Sequence, residues 1–198
     1  MLKVGITGGI GSGKSYVCKV FSMIGVPVFH ADKVAQDLLD THPSLKHTMQ
    51  DLFGANIYVN DRLNRKKVAE IVFQDKTILE KLNQIVHPLV LESFNDWTKN
   101  ISGHPYVLKE AAIIFESGAE QFLDAVINIT APRELRIERV MKRDKVLRNH
   151  VIARMENQLP EKDKLKRADY VIYNDEHSLI LPQIINVHNK LQYLAKHI

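Results

Sequence analysis

The chain has a single cysteine, Cys18, among 198 residues, so neither an intramolecular disulfide framework nor a cysteine-rich metal site is available to it. Long apolar runs are missing too: nothing approaches the roughly 18 consecutive apolar residues of a membrane-spanning helix. The apolar start is interrupted at once by Lys3 and then by glycines, which is not the pattern of a secretory leader. Internal repeats and low-complexity segments are lacking as well. These absences lead us to expect a cytoplasmic protein with one sizeable core and no membrane partner. A strong excess of either charge sign is also lacking. With 27 Lys and Arg against 23 Asp and Glu, the net charge of +4 is modest for a nucleic-acid binder, and the phosphates of small ligands account for it, so no nucleic-acid partner is expected. Cys18 falls inside the first expected helix and reads as a small core residue.

What is present begins with the first fifteen residues. Met1-Leu2-Lys3-Val4-Gly5-Ile6-Thr7 reads as an apolar strand running into Gly8-Gly9-Ile10-Gly11-Ser12-Gly13-Lys14-Ser15, and Lys14-Ser15 open a helical pattern. That strand-to-helix setting makes Gly-x-x-x-x-Gly-Lys-[Ser/Thr] a phosphate-binding loop; elsewhere the same letters would be a glycine-rich turn. The glycines let the backbone approach a ligand closely, so successive N–H groups and the positive end of the following helix form an anion nest. Lys14 supplies a mobile charge for the outer phosphates of a nucleoside triphosphate, and the Ser15 hydroxyl is placed to ligate Mg²⁺.

Val17, Val20, Phe21 and Ile24 then recur at helical spacing until Gly25. A second strand is expected at Val26–Phe29. It delivers His30-Ala31-Asp32 to its carboxyl end, where open parallel sheets bind ligands. Asp32 is there a candidate proton acceptor, a candidate Mg²⁺ contact, or a plain helix cap. From Lys33 to about Gly103 helical patterns follow one another without a convincing strand, as in a helical insertion that provides an acceptor site. Its basic cluster, Arg62, Arg65, Lys66 and Lys67, reads either as solvated surface or as an anion site. Pro88 is expected to kink or break the long helical pattern of 75–101, which leaves His87 at a special backbone position.

A third strand starts at 104–108, and Glu110 and Glu116 follow as carboxylates that either orient Mg²⁺ or substrate or serve as surface groups. The fourth strand is expected at Ala125–Thr130, with Pro132 in the first turn of the next helix. That helix carries Arg133, Arg136, Arg139 and Arg143, and the last three share a face. After a break at 144–150 the pattern resumes with Arg154 and Gln158 one turn apart. An arginine-rich helical hairpin of this kind suggests a lid over the triphosphate, the alternative being a salt-bridged surface pair. A fifth strand at 168–174 ends in Asn174, and an amphipathic helix closes the chain from about Ser178 to Lys196. Strands separated by helices give an α/β fold with a parallel sheet and right-handed crossovers. Asp51-Leu52-Phe53-Gly54 fits the Asp-x-x-Gly of a nucleotide switch, but it closes a helical pattern instead of following a strand.

Taken in order, Thr7 to Ser15, His30-Ala31-Asp32, His87-Pro88, Ile113-Ile114-Phe115-Glu116, the arginine-rich hairpin with Arg154 and Gln158, and Ala168 to Asn174 together resemble the dephospho-CoA kinase family. The likeness covers nearly the whole chain. It implies phosphorylation of the ribose 3′-hydroxyl of dephospho-CoA by ATP with Mg²⁺, the last step of coenzyme A synthesis. It further implies a single domain over 1–198 with a P-loop NTPase-type five-stranded parallel sheet. The core would comprise about 1–30, 104–136 and 161–198, with a CoA-binding helical region at about 31–103 and a lid at about 137–160. By resemblance, Gly9, Ile10, Gly11, Ser12, Gly13, Lys14 and Ser15 hold the nucleotide, with Asn174 near the adenine. The resemblance makes Asp32 the general base and places Arg65, His87, Glu116 and Arg154 on the substrate side; among the lid arginines, Arg139 and Arg143 are the leading candidates to act with Lys14 on the transferred group. Two residues depart from the family pattern: His30 stands where the first acid of Asp-Ala-Asp is usual, and Ala112 where Pro is usual.

Overall fold

A computed structural model describes residues 1–197, apart from the side chains of residues 73, 74 and 76. It separates into two compact units, one formed by residues 1–30 together with the chain from 101 onward, the other by residues 31–100.

The first unit begins with β1 (Leu2–Thr7), α1 (Lys14–Met23) and β2 (Val28–His30). The second unit follows, with α2 (Ala31–Thr41), α3 (Pro43–Phe53), β3 (Tyr58–Val59), β4 (Arg62–Leu63), α4 (Arg65–Gln74) and α5 (Lys76–Lys99). The chain then returns to the first unit through β5 (Tyr106–Glu110), β6 (Ala125–Thr130), α6 (Arg133–Asp144), α7 (Arg148–Glu156), α8 (Glu161–Arg167), β7 (Tyr170–Tyr173) and α9 (Ile180–His197).

The first unit is a five-stranded sheet in the order β2-β5-β1-β6-β7, with every neighbouring pair parallel. Parallel strands are covered on both faces, so their sequences read as continuous apolar runs. All six residues of β6 are buried, as are Val4 and Ile6 of β1 and Val107 and Leu108 of β5. From α1, Val17, Cys18 and Phe21 cover the sheet; from α9, Ile184, Val187 and Leu191 do so at helical spacing. Each such side chain contributes roughly 1.5–3 kcal/mol by leaving water. Burial, with the Glu110 carboxylate as a smaller cause, pushes the Cys18 thiol up to about 12, which makes it a packing group and not a nucleophile. β1 lies between β5 and β6, where the strand order changes direction, and its carboxyl end opens into the glycine loop. That is where an α/β sheet binds ligands.

The second unit is mostly helical, as the apolar spacing implies, with a core of Met49, Phe53, Ile57, Leu63 and Val68. Two local expectations fail. The stretch is not free of strands: β3 and β4 form an antiparallel hairpin, with Tyr58 opposite Leu63 and Val59 opposite Arg62. Its two-residue turn, Asn60-Asp61, has φ of 49° and 63°, the doubly left-handed geometry of a type I′ turn, which Asn and Asp tolerate. Of the kink or break expected at Pro88, the break does not occur: α5 runs through it for 24 residues. The Asp75 carboxylate caps the start of α5, accepting from the amides of Thr77 and Ile78. The Asp-x-x-Gly sequence is the end of α3, and Gly54 takes φ 92° just beyond it.

Asp40 ties the hairpin to α2 and α4. Its Oδ1 accepts from the Leu63 amide at 2.9 Å and its Oδ2 from the Arg65 guanidinium at 2.6 Å. Desolvation opposes the shift, but the Leu63 amide and Arg65 outweigh it and hold the carboxyl below its usual range. Since the folded-state pKa lies below the unfolded one, the stabilisation is fully present above the unfolded value of about 3.9 and is lost as pH falls through the folded value. Urea unfolding of the wild type and of Asp40→Asn should therefore differ at pH 6 and converge as the pH drops below about 4. A difference that persists unchanged at pH 3 would assign the effect to packing. Among the described residues, no helix is long and apolar enough to cross a membrane.

Candidate active site

The loop from Gly8 to Gly13 joins the carboxyl end of β1 to α1. Gly13 caps the helix in a left-handed conformation, φ 95°, and its carbonyl accepts from the amides of Tyr16 and Val17. A Cβ at this position would lie 2.2 Å from Asn174 Nδ2. Only glycine fits there, on grounds of both φ and space. α1 opens with Lys14 and Ser15, so its first-turn amides and its positive dipole end face the loop. Ser12 Oγ is buried and has no hydrogen-bond partner among the described residues. A cradle of backbone amides at a helix start, holding a buried hydroxyl without a partner among the described residues and followed by Lys14 and Ser15, fits a nucleoside triphosphate.

Side chains from distant segments hold this loop. Asn174 Nδ2 donates to the Ser12 carbonyl at 2.8 Å, and Asn174's own carbonyl accepts from Arg139 at 3.1 Å. Arg139 also pairs with Glu176 at 2.9 Å. The Ile10 amide donates to Gln158 Oε1 at 2.8 Å, the Ile10 carbonyl accepts from Arg136 Nε at 3.0 Å, and Lys14 Nζ donates to the Gly8 carbonyl at 2.8 Å. Of the candidates named from the sequence, then, Gly9 to Ser15, Asn174 and Arg139 form one constellation.

The other candidates lie in separate groups. Arg143 and Arg154 both bind the Asp144 carboxylate, at 2.7 and 3.0 Å. The Arg143 hydrogen bond and, more weakly, Arg154 depress the Asp144 pKa against the opposing effect of desolvation. Behind them α6 and α7 pack through Ile137, Val140 and Val151, with Ile10 of the loop against the same cluster. Glu116 Oε1 accepts from the Leu159 amide at 2.9 Å and lies 2.8 Å from Nζ of Lys164, which is wholly buried. This carboxylate anchors the segment between α7 and α8. His30 Nδ1 lies 3.1 Å from Glu110 Oε2 across the carboxyl ends of β2 and β5, so the residue that departs from the family pattern faces an acid.

Asp32, Arg65 and His87 belong to the second unit. Asp32 is exposed in the first turn of α2, Arg65 opens α4 paired to Asp40, and His87 is half-buried in α5 just before Pro88. Sequence reasoning did not single out Glu161 or Asn128, and it named Arg136 only as one of three equivalent arginines. The available signal was weak, because one arginine per turn says nothing of which one is buried.

Comparison with known proteins gives a consistent result. The family profile for dephospho-CoA kinase matches residues 2–179. A dephospho-CoA kinase of Bacteroides fragilis is 34% identical over 198 residues, covering 98% of this chain and 97% of that protein. A crystal structure from Thermus thermophilus superposes with a TM-score of 0.83 at 33% identity, over 96% of this chain and 95% of its own. The dephospho-CoA kinase from Campylobacter jejuni does so with a TM-score of 0.67 at 29% identity, over 96% and 97%. With a parallel sheet, a glycine loop opening α1 and a match along nine-tenths of its length, the chain belongs to the dephospho-CoA kinase family.

Proposed function

We propose that the protein transfers the γ-phosphoryl group of ATP to the ribose 3′-hydroxyl of dephospho-CoA, producing coenzyme A and ADP in the cytoplasm. The observation that carries this reading is the glycine loop at the carboxyl end of the central strand, joined to Lys14 and Ser15 at the start of α1. Family membership supplies the acceptor.

Phosphoryl transfer depends on placement and charge neutralisation more than on covalent chemistry. Loop amides other than those of Ile10 and Ser12, which bond Gln158 and the Gly9 carbonyl, hold the outer phosphates with the Lys14 ammonium, and Asn174 keeps the loop in shape beside the nucleoside. Ser15 is the residue that would hold Mg²⁺, which when bound neutralises charge on the phosphate oxygens. Asp32 accepts the proton of the 3′-hydroxyl as its oxygen bonds to the γ-phosphorus and the bond to the ADP oxygen breaks. Arg65, His87, Glu116 and Arg154 serve the acceptor. Arg139 and Arg143 close on the transferred group and exclude water. Their present partners, Glu176 and Asp144, do not preclude this, since exposed ion pairs contribute only about 0.2–1 kcal/mol and a triphosphate competes well for them.

The test is to incubate the purified protein with MgATP and dephospho-CoA, omitting each in turn, and to follow products by mass spectrometry. Coenzyme A and ADP should appear together and only in the complete mixture. Tight ATP binding without product would leave the loop assignment standing and remove dephospho-CoA as the acceptor.

A further inference from the structure

Three arginines, Arg136, Arg139 and Arg143, share one face of α6, yet only Arg136 is buried, with 6% of its surface exposed. A guanidinium in that position carries a heavy desolvation penalty unless it is paired and its donors are used. Both conditions are met. NH1 donates to Glu161 Oε2 at 2.7 Å, while Glu161 Oε1 accepts from Nδ2 of Asn128, itself buried on β6, at 2.9 Å. Nε donates to the Ile10 carbonyl at 3.0 Å. A continuous line of hydrogen bonds thus runs from the sheet through α8 and α6 to the glycine loop.

The loop passes close to this residue, Gly9 against its side chain and Gly11 against its backbone. A Cβ on Gly9 would lie 2.3 Å from Arg136 NH2, and a Cβ on Gly11 would lie 2.5 Å from the Arg136 carbonyl. At these distances something must shift, and at Gly11 the obstacle is backbone. Gly9 is therefore matched to the Arg136 side chain, and Gly11 to the backbone of the helix at that position, in addition to any ligand. The Ile10 amide is meanwhile taken by Gln158, so the two successive peptides that meet at Ile10 are both fixed by side chains. In a trans peptide the C=O and N–H point in opposite directions. Turning the Ile10 carbonyl toward Arg136 therefore aims the Gly11 amide away from Arg136, to the other side of the loop.

The geometry points to Arg136, with Glu161 as its counterion, as a positioning residue that orients the phosphate loop's amides before nucleotide binds. Its charge is spent on Glu161, so it acts through direction and not through net attraction. This rests on the proposed nucleotide site. It differs from the roles of Arg139 and Arg143, which act on the transferred group itself.

Arg136→Lys is the informative variant, because a lysine keeps the charge and cannot bridge Ile10 and Glu161 with a planar fork. MgADP binding is measured by calorimetry, and KM and kcat are then measured for each substrate. We expect MgADP affinity to fall and the KM for ATP to rise on the order of tenfold. In the same variant kcat and the KM for dephospho-CoA should stay within about threefold of the wild type. Glu161→Gln removes the counterion and keeps only one of the two acceptors, since its NH2 group donates and cannot accept from Arg136 or Asn128. It provides a second arm should Arg136→Lys fold poorly, with a loss of MgADP affinity in the same direction expected. Both variants binding MgADP like the wild type, with only a lowered melting temperature, would overturn the inference and leave Arg136 a structural ion pair. A wild type that binds no MgADP would remove the nucleotide site and the inference together.

Discussion

Asp32→Asn is expected to lower kcat on the order of a hundredfold or more while leaving MgATP affinity nearly unchanged. Asn preserves shape and polarity but cannot accept a proton, so the loss falls on the step in which the acceptor hydroxyl is deprotonated. The competing role for Asp32 is structural, since it sits in the first turn of α2. A carboxylate there interacts favourably with the helix dipole by roughly 0.3–1 kcal/mol. The two roles separate cleanly. A base gives a large fall in kcat with little change in melting temperature, whereas a helix-start residue gives a small fall in melting temperature with kcat retained. Near-normal turnover in the variant would remove Asp32 as the base.

Lys14→Ala should be comparably severe, lowering kcat on the order of 10²–10³-fold, the usual cost of removing a preorganised donor to developing charge. The Lys14 ammonium lies against the Gly8 carbonyl at 2.8 Å, within the loop that would receive the phosphates. Moving it onto a γ-phosphate exchanges one hydrogen bond for a charge-assisted one. Lys14→Arg should recover little, because a planar fork does not fit where a compact ammonium folds back on its own loop. Turnover above a tenth of wild type in Lys14→Ala, with the fold intact by circular dichroism, would show that the loop amides alone carry the phosphates.

Much of the architecture could be read from the chain because its signals are local and strong. The glycine loop announces both β1 and α1, and the buried β6 run is apolar apart from Asn128 and Thr130 because a central parallel strand is covered on both faces. Other features were hidden for physical reasons. β3 and β4 have two residues each, too few for alternation to show, although Asn60-Asp61 is the kind of pair that closes a tight hairpin. Seven-residue α8 has no apolar stripe to announce it, and the helix places Lys164 among its neighbours without exposure. Pro88 lies inside α5 without breaking it, although proline removes one i→i−4 hydrogen bond from a helix. At the site, the phosphate loop, Asn174 and the arginines of α6 were visible as residue types. What no pattern revealed is partnership: that Asn174 holds Ser12, that Glu116 anchors Leu159 and Lys164, and that Arg136 and not its neighbours turns inward.

The loop's contacts also bear on how the protein comes to be made. Its three outside anchors reach Ile10 from Arg136, 126 residues away, Ile10 from Gln158, 148 residues away, and Ser12 from Asn174, 162 residues away. The glycine-rich stretch is synthesised well before the groups that give it shape. With loop closures of that span, the cradle belongs to the slow, late part of folding. A nascent chain can therefore carry the complete signature of a phosphate site, before Arg136, Gln158 and Asn174 are made, while lacking the geometry of one. Competence for nucleotide is in this way reserved for chains in which the segments carrying these three residues have already docked.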